Sequence, residues 1–194
     1  MSIPTGTLLL DRQLPEFDAR LFAAVVVDAP PERAYAAVRS LEPDDVAQDF
    51  PLMRVLGRLR ALPARLSSGD PGPDTMSADE ASDAFVVLDE APGTEFVVGM
   101  VGKFATARQL EFRRIEPAEF AGFAEPGYGK AAVNFRVEPY GEGRSVLTTE
   151  TRTRMTDPAS ATQFRRYWRV VGPFAGVIMR RWIRLAAADA ARTG

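Results

Sequence analysis

The first half of the chain changes from a strand pattern to a helix pattern at a pair of prolines. Residues 21–27 form an unbroken apolar run rich in valine, which predicts a strand. Pro31 and Glu32 follow, a combination typical of the first turn of a helix. Between residues 51 and 63, leucine and valine side chains spaced by three and four residues predict a second helix.

The second half of the chain has the pattern of consecutive strands separated by turns. The connections are short and contain Gly and Pro, which favours an antiparallel meander over a parallel sheet. The strand-like runs are 85–89, 95–101, 107–115, 119–125, 130–138 and 144–155.

A long helix is predicted over residues 158–191. Asp157 and Pro158 are the residue types that open helices, as N-cap and first helical residue. Apolar side chains then recur every three or four residues and form one stripe. Gly172 and Pro173 interrupt the stripe and predict a kink. The stripe consists of Phe164, Trp168, Val171, Ala175, Ile178, Trp182 and Leu185.

These elements predict an α+β protein in which a curved antiparallel sheet of six or seven strands wraps around the C-terminal helix. We expect one domain over 1–194, with 1–19 as an extended lead-in. Residues 67–83 are rich in Gly, Pro, Ser and Asp and have little to bury, so a mobile loop is expected there. A helix against a curved sheet encloses a space, and the pattern therefore predicts a cavity.

Composition removes several classes of chemistry. The chain has no Cys and no His, which excludes disulfides, thiolate nucleophiles, Ser-His-Asp relays and imidazole-bound zinc. We therefore expect no metal and no cofactor. The 24 basic and 26 acidic residues give a net charge of −2, so no nucleic-acid partner is expected. No cationic leader and no apolar run of membrane-spanning length is present, which favours a cytoplasmic protein without stable membrane insertion.

The order strand, two helices, six strands and a long C-terminal helix is the helix-grip arrangement. Three segments resemble parts of the START-like superfamily, also called SRPBCC, which includes polyketide cyclases, aromatases and lipid carriers. Residues 26–35 (VVDAPPERAY) resemble its first strand and helix entry. Residues 143–152 (GRSVLTTETR) and 164–168 (FRRYW) resemble its last strand and closing helix. The resemblance covers nearly the whole chain and implies a helix-grip fold with a ligand cavity.

The register of the last hairpin decides which side chains face the helix. Residues 140–143 favour a loop of two or four residues, which would place Val133 opposite Glu150. Glu150 and Arg152 would then point into the cavity with the apolar set of the preceding strand. A loop of three or five residues, or a bulge, would turn both outward. The predicted ligand-binding residues are Val133, Phe135, Thr148, Glu150, Arg152 and Trp168.

Three functions remain open at this point. The first is the binding, transport or sensing of a small hydrophobic molecule such as a lipid, polyketide or aromatic compound. The second is a cyclase-, aromatase- or hydrolase-like enzyme with Glu150 and Arg152 as catalytic candidates. The third is an interaction protein with a collapsed cavity. Whether the chain forms a homodimer is also left open. The arginines of the last helix indicate a solvated face, with a membrane surface or an acidic partner as the alternative.

Overall fold

The structure, a computed structural model, describes residues 8–41, 85–103 and 111–192. The predicted second helix and the predicted 67–83 loop lie outside these residues. Within the described residues the helices are α1 (Leu9–Gln13), α2 (Pro31–Ser40), α3 (Pro117–Phe120) and α4 (Pro158–Arg192). The strands are β1 (Ala19–Val27), β2 (Val86–Ala91), β3 (Glu95–Lys103), β4 (Glu111–Arg113), β5 (Gly129–Pro139) and β6 (Ser145–Met155).

The strands form one six-stranded antiparallel sheet in the order β1-β6-β5-β3-β2, with β4 paired to β3. The long helix α4 packs against β1 and β6, and α2 packs against α4. This is the α+β helix-grip architecture that the order of elements predicts. No helix in the described part of the chain is both long enough and apolar enough to cross a bilayer.

Both faces of the sheet carry an apolar core. We call the face that contacts α4 the helix face and the opposite one the outer face. The helix-face core includes Val27, Phe96, Phe135, Leu147, Ile183 and Ala186. The outer-face core includes Leu10, Leu14, Val97, Val101, Phe120 and Ala132.

Two predicted elements are wrong, and both are replaced by short helices that pack on the outer face. The segment predicted as an extended lead-in contains α1, whose Leu9 and Leu10 are buried against the sheet. The strand predicted over 119–125 is replaced by α3 and a turn. Pro117 occupies the first position of α3, and the Glu119 carboxylate accepts a hydrogen bond of 3.4 Å from the backbone N–H of Glu116. This local contact satisfies a backbone donor that a strand would have paired with a neighbour.

The predicted register of the β5–β6 hairpin is also wrong, by one residue. Val133 lies opposite Thr151, and Phe135 lies opposite Thr149. Five residues, 140–144, connect the two strands, and the backbone N–H of Tyr140 donates to the carbonyl of Arg144 at 3.0 Å. Gly141 and Gly143 adopt φ of 70° and 65°, a conformation open to glycine at little cost. Because side chains alternate along a strand, one residue of shift reverses the face of every side chain in β6.

The start of α4 agrees with its prediction. The Asp157 carboxylate accepts a hydrogen bond of 2.9 Å from the backbone N–H of Ser160, which is the N-cap contact. Its other oxygen accepts a bond of 2.8 Å from the N–H of Gly127 in the turn before β5. From this anchored end α4 continues as one helix through Pro173.

Candidate functional site

A patch on the helix face of the central strands remains partly exposed. Val98 on β3 pairs with Val133 on β5, and Val133 pairs in turn with Thr151 on β6. These side chains are only partly buried, although β5 lies in the middle of the sheet and its neighbouring outer-face residues Ala132 and Asn134 are buried. A central strand covered on both faces would bury both sets. The patch, called here the open floor, consists of Val98, Met100, Ala131, Val133 and Thr151.

Four aromatic rings line one end of the open floor. The ring of Tyr35 meets Phe96 edge-on, with 5.8 Å between centroids. Phe96 stacks on Phe135 at 5.1 Å, and Phe135 contacts Trp182 of α4 at 5.5 Å. This aromatic row joins α2, the sheet and α4 into one continuous apolar wall.

Two buried polar atoms beside the aromatic row lack a hydrogen-bond partner in the described structure. They are Oγ1 of Thr149 and Nε1 of Trp182. Thr149 is fully buried on the helix face and lies directly opposite Phe135, which contacts the Trp182 ring. Each such group costs roughly 1 to 3 kcal/mol when it is left without a partner. Two of them beside the same phenylalanine are unmet hydrogen-bonding groups next to the aromatic row.

A polar group occupies the α2 end of the aromatic row. The Tyr35 hydroxyl donates a hydrogen bond of 2.5 Å to Glu90 Oε1, and Arg39 Nε donates to the same oxygen at 3.4 Å. The Arg39 guanidinium also lies over the Phe96 ring, 5.3 Å from its centroid. Tyr35, Arg39 and Glu90 are called the polar rim.

The polar rim has a defined protonation state at neutral pH. Burial raises the pKa of Tyr35, and its hydrogen bond to Glu90 raises it further. That same hydrogen bond lowers the pKa of Glu90, and Arg39 lowers it further. The tyrosine is therefore a neutral donor and the glutamate a charged acceptor, with a guanidinium beside them.

The structure separates the residues that the sequence placed in one cavity. Val133 lies in the open floor, and Phe135 lies in the aromatic row. Trp168 packs on Phe164, 5.2 Å between centroids, in a separate cluster at the start of α4. The three polar candidates lie on the outer face because of the register shift, and they are Thr148, Glu150 and Arg152.

Glu150 and Arg152 are buried on the outer face and paired with each other, Nε to Oε1 at 2.7 Å. Arg20 Nη2 donates to the other Glu150 oxygen at 2.9 Å. Arg152 also donates to the carbonyl of Leu14 at 3.0 Å and pairs with Asp11 at 2.7 Å. Burial disfavours the charged guanidinium, but the hydrogen bonds to Glu150 and Asp11 outweigh it and raise the pKa of Arg152. The network fastens the N-terminal segment to the sheet.

The catalytic hypothesis required Glu150 and Arg152 to lie on the helix face of the sheet, and they lie on the outer face instead. Both side chains point away from α4, and Arg152 contacts Asp11 of the N-terminal segment.

The polar rim was missed from sequence because Tyr35 shares the helical spacing of the apolar residues Val38 and Leu41 and was interpreted as part of an apolar face. Tyr35 and Arg39 are one helical turn apart, which signals a shared face, but nothing in the sequence joins them to Glu90. Nor do the described residues contain three acidic side chains grouped to hold a metal.

No protein-family model matches the chain, and no curated protein matches it. Several solved structures are similar to it. A hypothetical protein of Helicobacter pylori is 11% identical, with 98% of this chain and 99% of that one covered and a TM-score of 0.49. A conserved protein of Geobacillus kaustophilus is 9% identical, with 90% and 97% covered and a TM-score of 0.44. The Zhui aromatase/cyclase of Streptomyces sp. R1128 is 18% identical, with 90% and 94% covered and a TM-score of 0.30. At these scores the likeness carries no functional information.

Proposed function

We propose that the protein binds a small, largely apolar molecule on the open floor, between α4 and the sheet. The observation that carries the proposal is the partial exposure of Val98, Met100 and Val133 at the centre of the sheet. Apolar side chains at such a position are stabilised by contact with another apolar surface. A bound lipid, polyketide or aromatic molecule supplies that surface.

The unpartnered polar atoms narrow the chemistry of the ligand. An indole N–H only donates, so Trp182 Nε1 requires an acceptor, while the Thr149 hydroxyl donates or accepts. A ligand with a carbonyl, hydroxyl or ether oxygen near the aromatic row provides both. The proposed ligand is therefore an apolar body that carries at least one oxygen atom.

The polar rim gives the ligand a second polar contact. Arg39 is partly exposed, with 44% of its side chain accessible, and its pairing with Glu90 is long at 3.4 Å. A guanidinium in this state retains donors for an anionic or strongly polar group of the ligand. Tyr35 is fully engaged with Glu90 and serves to hold the carboxylate in place.

Two measurements test the proposal. Native mass spectrometry of freshly purified protein should detect a co-purifying lipophilic molecule. Titration with Nile red, an apolar dye that carries a carbonyl oxygen, should show saturable binding with one site per chain. If neither a co-purifying molecule nor saturable dye binding is found, the protein has a closed interior and the proposal is wrong.

A matched pair of tryptophan substitutions locates the site. Val133→Trp fills the open floor and should weaken dye binding roughly tenfold or more. Val26→Trp places the same side chain on the outer face of β1, where Val26 is 46% exposed, and should leave dye affinity unchanged. Circular dichroism checks that both variants fold. Equal affinities of the two folded variants would show that the dye binds elsewhere.

A further inference from the structure

The outward side of α4 carries a second apolar stripe, separate from the one that faces the core. Val170, Phe174 and Val177 follow the i, i+4, i+7 spacing of one helix face. Their exposed fractions are 64%, 37% and 43%. At 100° per residue this stripe lies opposite the buried residues Gly176, Met179 and Ile183. The residues of this stripe belong neither to the core nor to the open floor.

Arginines flank this stripe at both ends. Arg166 and Arg169 precede it, Arg180 and Arg184 follow it, and all four are exposed. None of the four has an ion-pair partner among the described residues. Residues 158–188 contain six arginines and no acidic residue, in a chain whose net charge is −2. Positive charge is thus concentrated on one helix.

We infer that the outward side of α4 is a docking surface for an anionic lipid bilayer, on which the helix lies in the plane of the interface. An interfacial surface combines apolar side chains, which enter the headgroup and acyl boundary, with basic side chains, which are attracted to anionic lipids. The span from Arg166 to Arg184 is about 27 Å at 1.5 Å per residue, enough to contact several headgroups. The arginine stems lie along the apolar zone while the guanidinium groups reach the phosphates.

The exposed apolar stripe favours a bilayer over a soluble polyanion. Phosphate groups of a nucleic acid or carboxylates of an acidic protein would engage the arginines, but they offer nothing to Val170 or Phe174. A bilayer interface takes both kinds of side chain at once. This inference rests on the outer side of α4 alone and stands or falls independently of the ligand proposal.

Vesicle flotation tests the docking surface. The full-length protein should float with phosphatidylcholine vesicles that contain phosphatidylglycerol and remain unbound with pure phosphatidylcholine. Binding should weaken as salt rises, because the arginine contribution is screened. Equal binding to both vesicle types, or binding to neither, would overturn the inference.

Variants on the surface of α4 separate the two contributions. The triple change Val170→Ser, Phe174→Ser, Val177→Ser should reduce vesicle binding at least tenfold without loss of helix content. Arg166→Gln with Arg184→Gln should reduce it by a similar factor and flatten the salt dependence. Phe22→Ser removes an aromatic residue that is 54% exposed on β1 and should leave vesicle binding unchanged.

Two outcomes would assign the surface to another partner and overturn the lipid assignment. Binding to heparin or polyglutamate as tight as that to anionic vesicles, and indifferent to Phe174→Ser, would indicate an acidic macromolecule. A dimer in sedimentation velocity that dissociates on Phe174→Ser would indicate a second copy of the chain.

Discussion

Glu150 and Arg152 are neighbours on one face of β6, and their side chains form a buried ion pair of 2.7 Å. The side chains are 5% and 8% exposed, so water contributes little to their solvation. Arg20, Asp11 and the carbonyl of Leu14 complete the hydrogen bonding. A buried charge that is this fully paired is tolerated, but removing one member leaves another charge without its partner.

We therefore predict that Glu150→Ala lowers the free energy of unfolding by about 3 to 5 kcal/mol. Glu16→Ala is the matched control. Glu16 is 78% exposed and pairs at 3.3 Å with Arg154, which lies on the same face of β6 as Arg152. That change should cost less than about 1 kcal/mol. Urea denaturation measures both. Equal costs would mean that Glu150 is solvated in solution.

A second prediction concerns the close approach of β2 to β3 at Gly99. A Cβ at this position would lie 2.4 Å from Leu88 Cδ1 and 3.0 Å from the Phe120 ring. Gly99→Ala should therefore destabilise the fold by about 1 to 3 kcal/mol through overpacking.

The control for this prediction is Gly122→Ala. There the nearest atom to the new Cβ is the Glu119 carbonyl oxygen at 4.0 Å, so the change should stay within about 0.5 kcal/mol. Adding Leu88→Ala to Gly99→Ala makes room for the methyl group and should cost less than the two single changes together. Simple additivity would contradict the proposed contact.

The architecture was predictable because it depends on the order of long elements. The C-terminal helix has an apolar stripe that continues for many turns, and the strands are separated by Gly- and Pro-rich turns. An error of a few residues in the end of a helix or strand therefore does not change the predicted architecture. The strand predicted over 119–125 was wrong because Pro117 and Glu119 favour a helical turn at this point of the chain. The five-residue helix α1 is too short to give a detectable period.

The candidate site was less predictable because it depends on whether the loop between β5 and β6 has an odd or an even number of residues. Residues 140–144 fit loops of several lengths by composition, and only the backbone conformations of Gly141 and Gly143 fix the count. The apolar residues of β5 do face the helix, as expected, so the error lies in the pairing of β6 with β5. Part of the outer face is also buried, because Leu10 and Leu14 pack there, and Glu150 is therefore buried although it points away from α4.

The third prediction concerns acid stability. Hydrogen bonds from Ser160 and from the backbone of Gly127 lower the pKa of Asp157 to about 2. Because the folded pKa lies below the unfolded one, the contribution of this carboxylate is complete above pH 4 and is lost as pH falls toward 2. Asp157→Ser keeps an N-cap acceptor but does not titrate. Urea denaturation should give this variant a flatter stability curve between pH 4 and 2, and parallel curves would show that the carboxylate is not responsible.

The last prediction contrasts two hydroxyl groups on the helix face of β6. Ser145 Oγ donates to the Ala29 carbonyl at 2.9 Å, whereas Thr149 Oγ1 has no partner among the described residues, and both side chains are fully buried. Ser145→Ala should therefore destabilise the ligand-free protein by about 1 kcal/mol, because it removes a formed hydrogen bond. Thr149→Val should stabilise it by about 1 kcal/mol, because it replaces an unpaired hydroxyl with a methyl group of similar size. The same Thr149→Val change should weaken Nile red binding, so that stability and affinity move in opposite directions. If Thr149→Val destabilises the ligand-free protein, the hydroxyl already has a partner, and the position gives no support for a ligand.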